Sequence, residues 1–261
     1  MAVAVVIAAP PAPATVPDQP VAKWAVDYGE TQCLAIRRYG DAKKPTLLAI
    51  RPAPNGTSYE LMLTSRTPGA EFAEEHKGSV DVGAGPIEAW LLRFHTSDRR
   101  TLYTYRISAA QMVAARNATV VTFRNRKINA ESYALDNMRA LLDGLNECTA
   151  DLRQYWNEGR ELDGRIASPA EGDVRRLFSE TDFPAEAMAK RQEGNSRLLL
   201  LIDTNGRVAG CHVLETSGIP IFDVRGCQVV MEHAKFKPAT DRSGKPVRSM
   251  FTTPIISWRI G

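Results

Sequence analysis

No apolar stretch at the amino end is long enough to span a bilayer: Ala2–Ala9 (AVAVVIAA) falls far below the ~20 residues required. None of the four cysteines, Cys33, Cys148, Cys211 and Cys227, lies in a C-x-x-C pair, which excludes zinc ribbons, thioredoxin-like motifs and haem attachment. The histidines, His76, His95, His212 and His233, form no H-E-x-x-H or other close ligand spacing, and Glu74-Glu75-His76 reads as a solvated loop. There is no G-x-S-x-G nucleophile turn. Neither Gly83-Ala84-Gly85-Pro86 nor Gly244-Lys245-Pro246 continues as a phosphate loop would. Charge of one sign is scarce too: 33 basic against 30 acidic residues leave +3, too little to argue for nucleic acid. Arg99-Arg100 and Arg124–Lys127 read as solvated strand ends. These absences leave no catalytic residue, cofactor or metal to name, and the expectation is a protein that is not an enzyme.

What is there is an ordinary globular composition, 44% hydrophobic and 24% charged, over 261 residues, enough for two modest domains. The short apolar run leads into Pro10-Pro11-Ala12-Pro13-Ala14, where Ala12-Pro13-Ala14 fits a signal-peptidase site. Residues 1–14 therefore read as a signal peptide without its basic start, the alternative being a disordered Ala/Pro tail. An even number of cysteines in an exported chain suggests disulfides, with three possible connectivities. Residues 15–23 are Pro-rich and polar, a linker.

A first domain is expected over 24–156. Strands are read at Thr31–Arg38, Thr46–Arg51, Tyr59–Ser65, Ile87–His95, Thr101–Ile107 and Thr119–Arg124, with a turn at Pro52-Ala53-Pro54-Asn55-Gly56 and a hairpin link at Ser97–Arg100. Residues 66–86, rich in glycine, acids and breakers, read as an irregular loop. Met138, Leu141, Leu142, Leu145, Cys148, Leu152 and Tyr155 recur at helical spacing. A long helix covering an antiparallel sheet makes the fold class α+β. Residues 157–180 lose periodicity and mark a second linker.

The second domain, 181–261, reads as helix, two strands, helix, strand. The first helix runs to about Arg191. The strand Arg197–Asp203 contains five apolar residues in a row, Leu198–Ile202, which suits a strand shielded on both sides. Asn205-Gly206 signals a type I′ hairpin into Val208–Glu215. A helix follows over Phe222–Ala234, and a strand over Arg248–Ile260 ends the chain.

An ordered motif series runs through this domain. It comprises Phe183-Pro184-Ala185-Glu186-Ala187, Gly194, Asp203-Thr204-Asn205-Gly206-Arg207-Val208, Ser217-Gly218 with Phe222-Asp223, Phe236-Lys237-Pro238-Ala239, Gly244-Lys245-Pro246-Val247 and Pro254-Ile255. In this order the series resembles the TonB C-terminal family. The pattern departs from that family in the pair before Phe183, Thr181-Asp182 instead of Gln-Pro, and at Arg191, where a glycine is common. The membrane helix and long Pro-rich spacer of family members that power transport are not seen, which puts energy coupling in doubt.

The resemblance implies a periplasmic, cell-envelope protein in TonB-dependent transport. It would offer a sheet edge to a peptide of an outer-membrane transporter or other envelope protein, with no nucleic-acid partner. The last strand would be that edge, because Pro254 lacks an N–H and cannot sit in a central strand. Arg248, Phe251, Thr253, Pro254, Ile255 and Trp258 are its candidate partner-binding residues, although Phe251 and Trp258 taken singly read as core. Competing expectations are an envelope structural or cell-wall-binding protein that uses the module for assembly only, and a hydrolase hidden in the first domain, which no motif supports. Cys211 lies mid-strand and Cys227 on the apolar stripe of the helix expected to pack on it, so a disulfide between them is sterically reasonable, two buried free thiols being the alternative. By elimination Cys33 would pair with Cys148.

Overall fold

The computed structural model describes residues 16–68, 74–95, 100–125, 130–158 and 164–260, so the candidate leader at 1–14 and most of the 97–100 link lie outside them. Alternation of buried and exposed positions along Cys33–Tyr39 shows why the amino-terminal half forms a sheet with one face inward. Nine antiparallel strands build it: β1 (Ala25–Tyr28), β2 (Cys33–Tyr39), β3 (Thr46–Pro52), β4 (Ser58–Pro68), β5 (Glu74–Asp81), β6 (Pro86–His95), β7 (Arg100–Ser108), β8 (Val120–Asn125) and β9 (Glu131–Ala134). Their spatial order is β1-β2-β3-β4-β7-β6-β5-β8-β9. A short helix α1 (Ala109–Met112), capped by Ser108 and Gln111, leaves the end of β7. The long helix α2 (Met138–Tyr155) packs Leu141, Leu142, Leu145 and Leu152 into the core made by the inward residues of the strands.

Two parts of this sheet depart from the sequence reading. The expected loop at 66–86 contains β5, which is central, paired with β6 on one side and β8 on the other. Its glycine marks a close approach, not a loop: a Cβ on Gly78 would lie 2.8 Å from the Arg124 carbonyl oxygen and 3.1 Å from the Tyr105 ring. Asp81 then accepts bonds from the Gly83 and Gly85 N–H groups, closing the tight turn into β6. The stretch read as a linker at 15–23 joins the sheet as well. Asp18 donates to the Ser132 carbonyl and accepts from Ala134 on β9, while Val21 donates to Arg38 on β2. The sheet thus curls until its two ends meet across residues 18–21. The buried Arg37 side chain, 4% exposed, holds that seam: it pairs with both carboxylate oxygens of Asp136 at 2.8 and 2.7 Å and donates to the Ala22 carbonyl.

The second unit has a four-stranded sheet. Helix α3 (Ala185–Ala189) leads into β10 (Gly194–Ile202), then β11 (Val208–Glu215), helix α4 (Pro220–His233), a small hairpin of β12 (Ala239–Thr240) and β13 (Pro246–Val247), and finally β14 (Ser249–Thr252) and β15 (Ile256–Trp258). Strand β10 is central. It pairs with β11 on one side and with both β14 and β15 on the other. The run Leu198–Ile202 is shielded on both faces, as its sequence implies. Leu198, Leu200 and Ile202 enter the core under α4, while Leu201 enters the core of the nine-stranded sheet, with Met250 packed beside it. The segment 164–178, read as linker, contributes Ile166, Ala170 and Val174 to the second core.

All four cysteines are in disulfides. Cys33 on β2 is bonded to Cys148 on α2, and Cys211 on β11 to Cys227 on α4, with Cα separations of 6.1 and 5.6 Å. Each bridge fastens a helix to the sheet it covers.

Candidate functional site

The expected last strand is broken in two, and Thr253 marks the break. Its N–H donates to the Leu198 carbonyl at 2.9 Å, and its hydroxyl accepts the Leu198 N–H at 3.0 Å. One residue therefore satisfies both main-chain groups of Leu198 where the ladder would otherwise lapse. Pro254 follows, without an N–H to offer, and β15 resumes pairing at Ser196. The break leaves Ile255 47% exposed.

The six expected edge residues divide into three groups. Arg248 belongs to the junction between units: its guanidinium lies 4.2 Å from the Tyr155 ring centroid, and its carbonyl accepts a bond from Asn157 Nδ2 at 2.8 Å. Thr253 and Trp258 are buried, and Phe251 is half-buried against the same core. Phe251 packs on Phe236 at 4.8 Å, and Trp258 stacks on Phe222 at 5.0 Å with Phe178 and Phe183 against its edges. Of the six, Ile255 alone is exposed, and Pro254 before it is half-buried.

Among the described residues no strand pairs with the outer side of β15. A groove runs along it in two adjoining hollows, of about 550 and 480 Å³, that share Phe178, Ile256, Ser257 and Arg259. Its opposite wall is the segment 175–188. Met188, Ile255 and Ile260, 50%, 47% and 38% exposed, are among the few large apolar side chains left in water, and all three line it. The wall is held rigidly. Asp182, 7% exposed, accepts from the Ser179 N–H and hydroxyl and from Arg225 Nη2 at 2.6 Å. The Ser179 bonds, with Arg225, hold its carboxyl below the usual range. Arg259 is fixed as well, by the Gly194 carbonyl and Asn195 Oδ1. The buried Trp258 indole N–H has no acceptor among the described residues. Sequence reasoning missed Phe178 and Met188. Phe178 falls in a segment without periodicity, and Met188 extends a helix of only five residues.

Residues 179–259 match the family profile of the Gram-negative bacterial TonB protein C-terminal domain. This part of the chain is similar to that domain. The family works in envelope transport through protein contacts. No curated protein matches the chain.

The motif residues of the matched part have structural reasons to be what they are. Asp203 accepts the N–H groups of Asn205 and Arg207, and its carbonyl accepts that of Gly206. Only Gly206 has a positive φ, +76°, so the turn is a type I turn with a glycine bulge and not the expected type I′. A Cβ on Gly206 would meet the Phe236 carbonyl oxygen at 1.9 Å, because the segment after α4 lies directly on the turn and donates Phe236 N–H to Gly206 O. Asp223, in the first turn of α4, accepts from Thr216 and from the Ser217 N–H, fixing the Ser217-Gly218 entry. No helix among the described residues is long and apolar enough to cross a membrane.

Proposed function

We propose that this chain works in the periplasm as a TonB-like binding protein, not an enzyme, and that an extended segment of an envelope partner adds to the outer side of β15. The observation that carries the reading is the groove itself: an unpaired strand edge, apolar side chains exposed along it, and a rigid wall facing it. Main-chain bonds to β15 would supply affinity, while Met188, Ile255 and Ile260 would select apolar side chains at alternate positions of the added strand. The two disulfides support an oxidising compartment such as the periplasm.

The junction at Arg248 limits the reach of such a partner. Because Asn157 occupies the Arg248 carbonyl and Tyr155 covers its side chain, added pairing is confined to the stretch from Pro254 onward. The direct experiment is titration of the isotope-labelled full chain with N-terminal peptides of outer-membrane transporters. The full chain is needed because Leu201 is buried in the core of the other unit. Amide shifts are expected at 255–260 and at Met188; unchanged spectra at millimolar peptide would remove this reading.

A further inference from the structure

A second concavity, of about 430 Å³, lies where the two units meet, on the opposite side of β10 from β15. One wall is the outward face of β3, β4 and β7; the other is β11 and α4. Small-molecule sites favour such junctions and fall in the range of roughly 300–1,000 Å³.

The chemistry of the two walls differs. The first carries a fixed ionic cluster. Glu60 accepts from Arg51 Nε and Nη2 at 3.0 and 2.5 Å and from Arg106 Nη2 at 2.7 Å, and Arg51 Nη1 is bonded to Gln32. Arg51 and the carboxylate are thereby satisfied. Arg106 is not: its Nε and Nη1 have no acceptor among the described residues. Asp223 faces it across the cleft, bonded to Thr216 and Ser217, and makes no hydrogen bond to it. Glu232 stands at the rim, 59% exposed, where water screens it. Beside the cluster His212 is kept neutral by burial and by Arg51, its pKa pushed down to about 4. The other wall carries an apolar patch, Val213, Val224, Met231 and the Cys211–Cys227 bridge, beside Asp223, Gln228 and Glu232, and Met62 joins the patch from β4. Met231 remains 44% exposed in this otherwise packed junction.

Two arginines against one glutamate leave that wall positive, with guanidinium donors unsatisfied at the end of an apolar slot. The complement is an acceptor head on an apolar body. We propose that the cleft between the units binds a small amphipathic carboxylate, its head on Arg106 and its alkyl chain against Met62, Val213, Val224 and Met231. A fork of guanidinium donors matches a carboxylate in two-point geometry. This site is independent of the groove at β15, and each can fail without the other.

The test is calorimetric titration of the intact full chain with decanoate, and with decanol as the headless control. One decanoate per chain is expected. A bond to a charged group is worth about 1.5–3 kcal/mol, so Arg106→Gln should weaken decanoate about tenfold to a hundredfold while leaving decanol unchanged. Val224→Trp, which fills the slot from α4, should abolish binding of both, with the amide spectrum reporting that the fold is kept. No binding of decanoate at millimolar concentration overturns the proposal. So does equal affinity for decanol and decanoate, or decanoate binding unmoved by either substitution.

Discussion

Removing the disulfides one at a time should destabilise the protein unequally, and the order follows from the loops they close. Cys33–Cys148 spans 115 residues and Cys211–Cys227 spans 16. In the chain-entropy treatment these loops correspond to about 5 and about 3 kcal/mol of constraint on the unfolded chain. The loops do not overlap in sequence, so the two effects should add. Burial works in the same direction, because Cys33 and Cys148 are 0% and 4% exposed while Cys211 and Cys227 are half-buried. The perturbation is the pair of double substitutions, Cys33→Ala with Cys148→Ala and Cys211→Ala with Cys227→Ala. Equilibrium urea unfolding, followed by tryptophan fluorescence and far-ultraviolet dichroism together, gives the free energies. Trp156 and Trp258 report on different cores, so coincident transitions would establish that the units unfold together. Equal losses on removing the short-loop and the long-loop bridge would overturn the loop-length origin of this stabilisation. So would titratable thiols in the unreduced wild-type protein once unfolded.

Gly206→Ala must place a side chain at positive φ and against the Phe236 carbonyl, so a loss of about 2 kcal/mol or more is expected in the melting transition. Trp258→Ala should cost about 3–5 kcal/mol, whereas Ile255→Asp should leave the melting temperature within a degree or two and weaken peptide binding; a peptide titration of Ile255→Asp that matches wild type would count against the β15 groove. Acid should destabilise in two steps. The His212 pKa is depressed in the fold, so its contribution, up to about 3 kcal/mol, is complete above about pH 6.5 and is lost as pH falls towards 4. Burial would raise the Glu60 pKa, but Arg51 and Arg106 outweigh it and bring it to about 2, so that carboxylate stabilises above its ordinary range and loses its effect as pH falls further. His212→Gln should flatten the upper step in a pH series of urea midpoints and leave the lower one.

The legibility of this chain in its sequence was uneven, for physical reasons. Periodicity revealed α2 almost to the residue, because one face of a long helix meets one core. The uninterrupted run Leu198–Ile202 announced a strand covered on both sides, although not that the second cover is the other unit's core. Residues 74–81 hid a central strand, because pairing there brings backbones too close for side chains, and glycine reads as a breaker. The same logic hid the break at Thr253, whose hydroxyl replaces a main-chain acceptor that no pattern of hydrophobicity records. Pro254 did signal an interruption. What it could not signal is that Phe178 and Met188, from a segment without periodicity and a helix of one turn, would stand opposite it.

The meeting of the sheet's two ends across residues 18–21 has a kinetic consequence. The strands that clasp Asp18 end at Ala134, so the earliest part of the described chain waits for more than a hundred residues before its partners exist. The bridge between Cys33 and Cys148 joins segments equally remote. Loop closure of that length precedes any reward from contact, which places the seam late in folding and makes the process slow relative to a helical protein of this size. A chain that closes late becomes resistant to pulling and to proteases only once the first and last strands of that sheet have met.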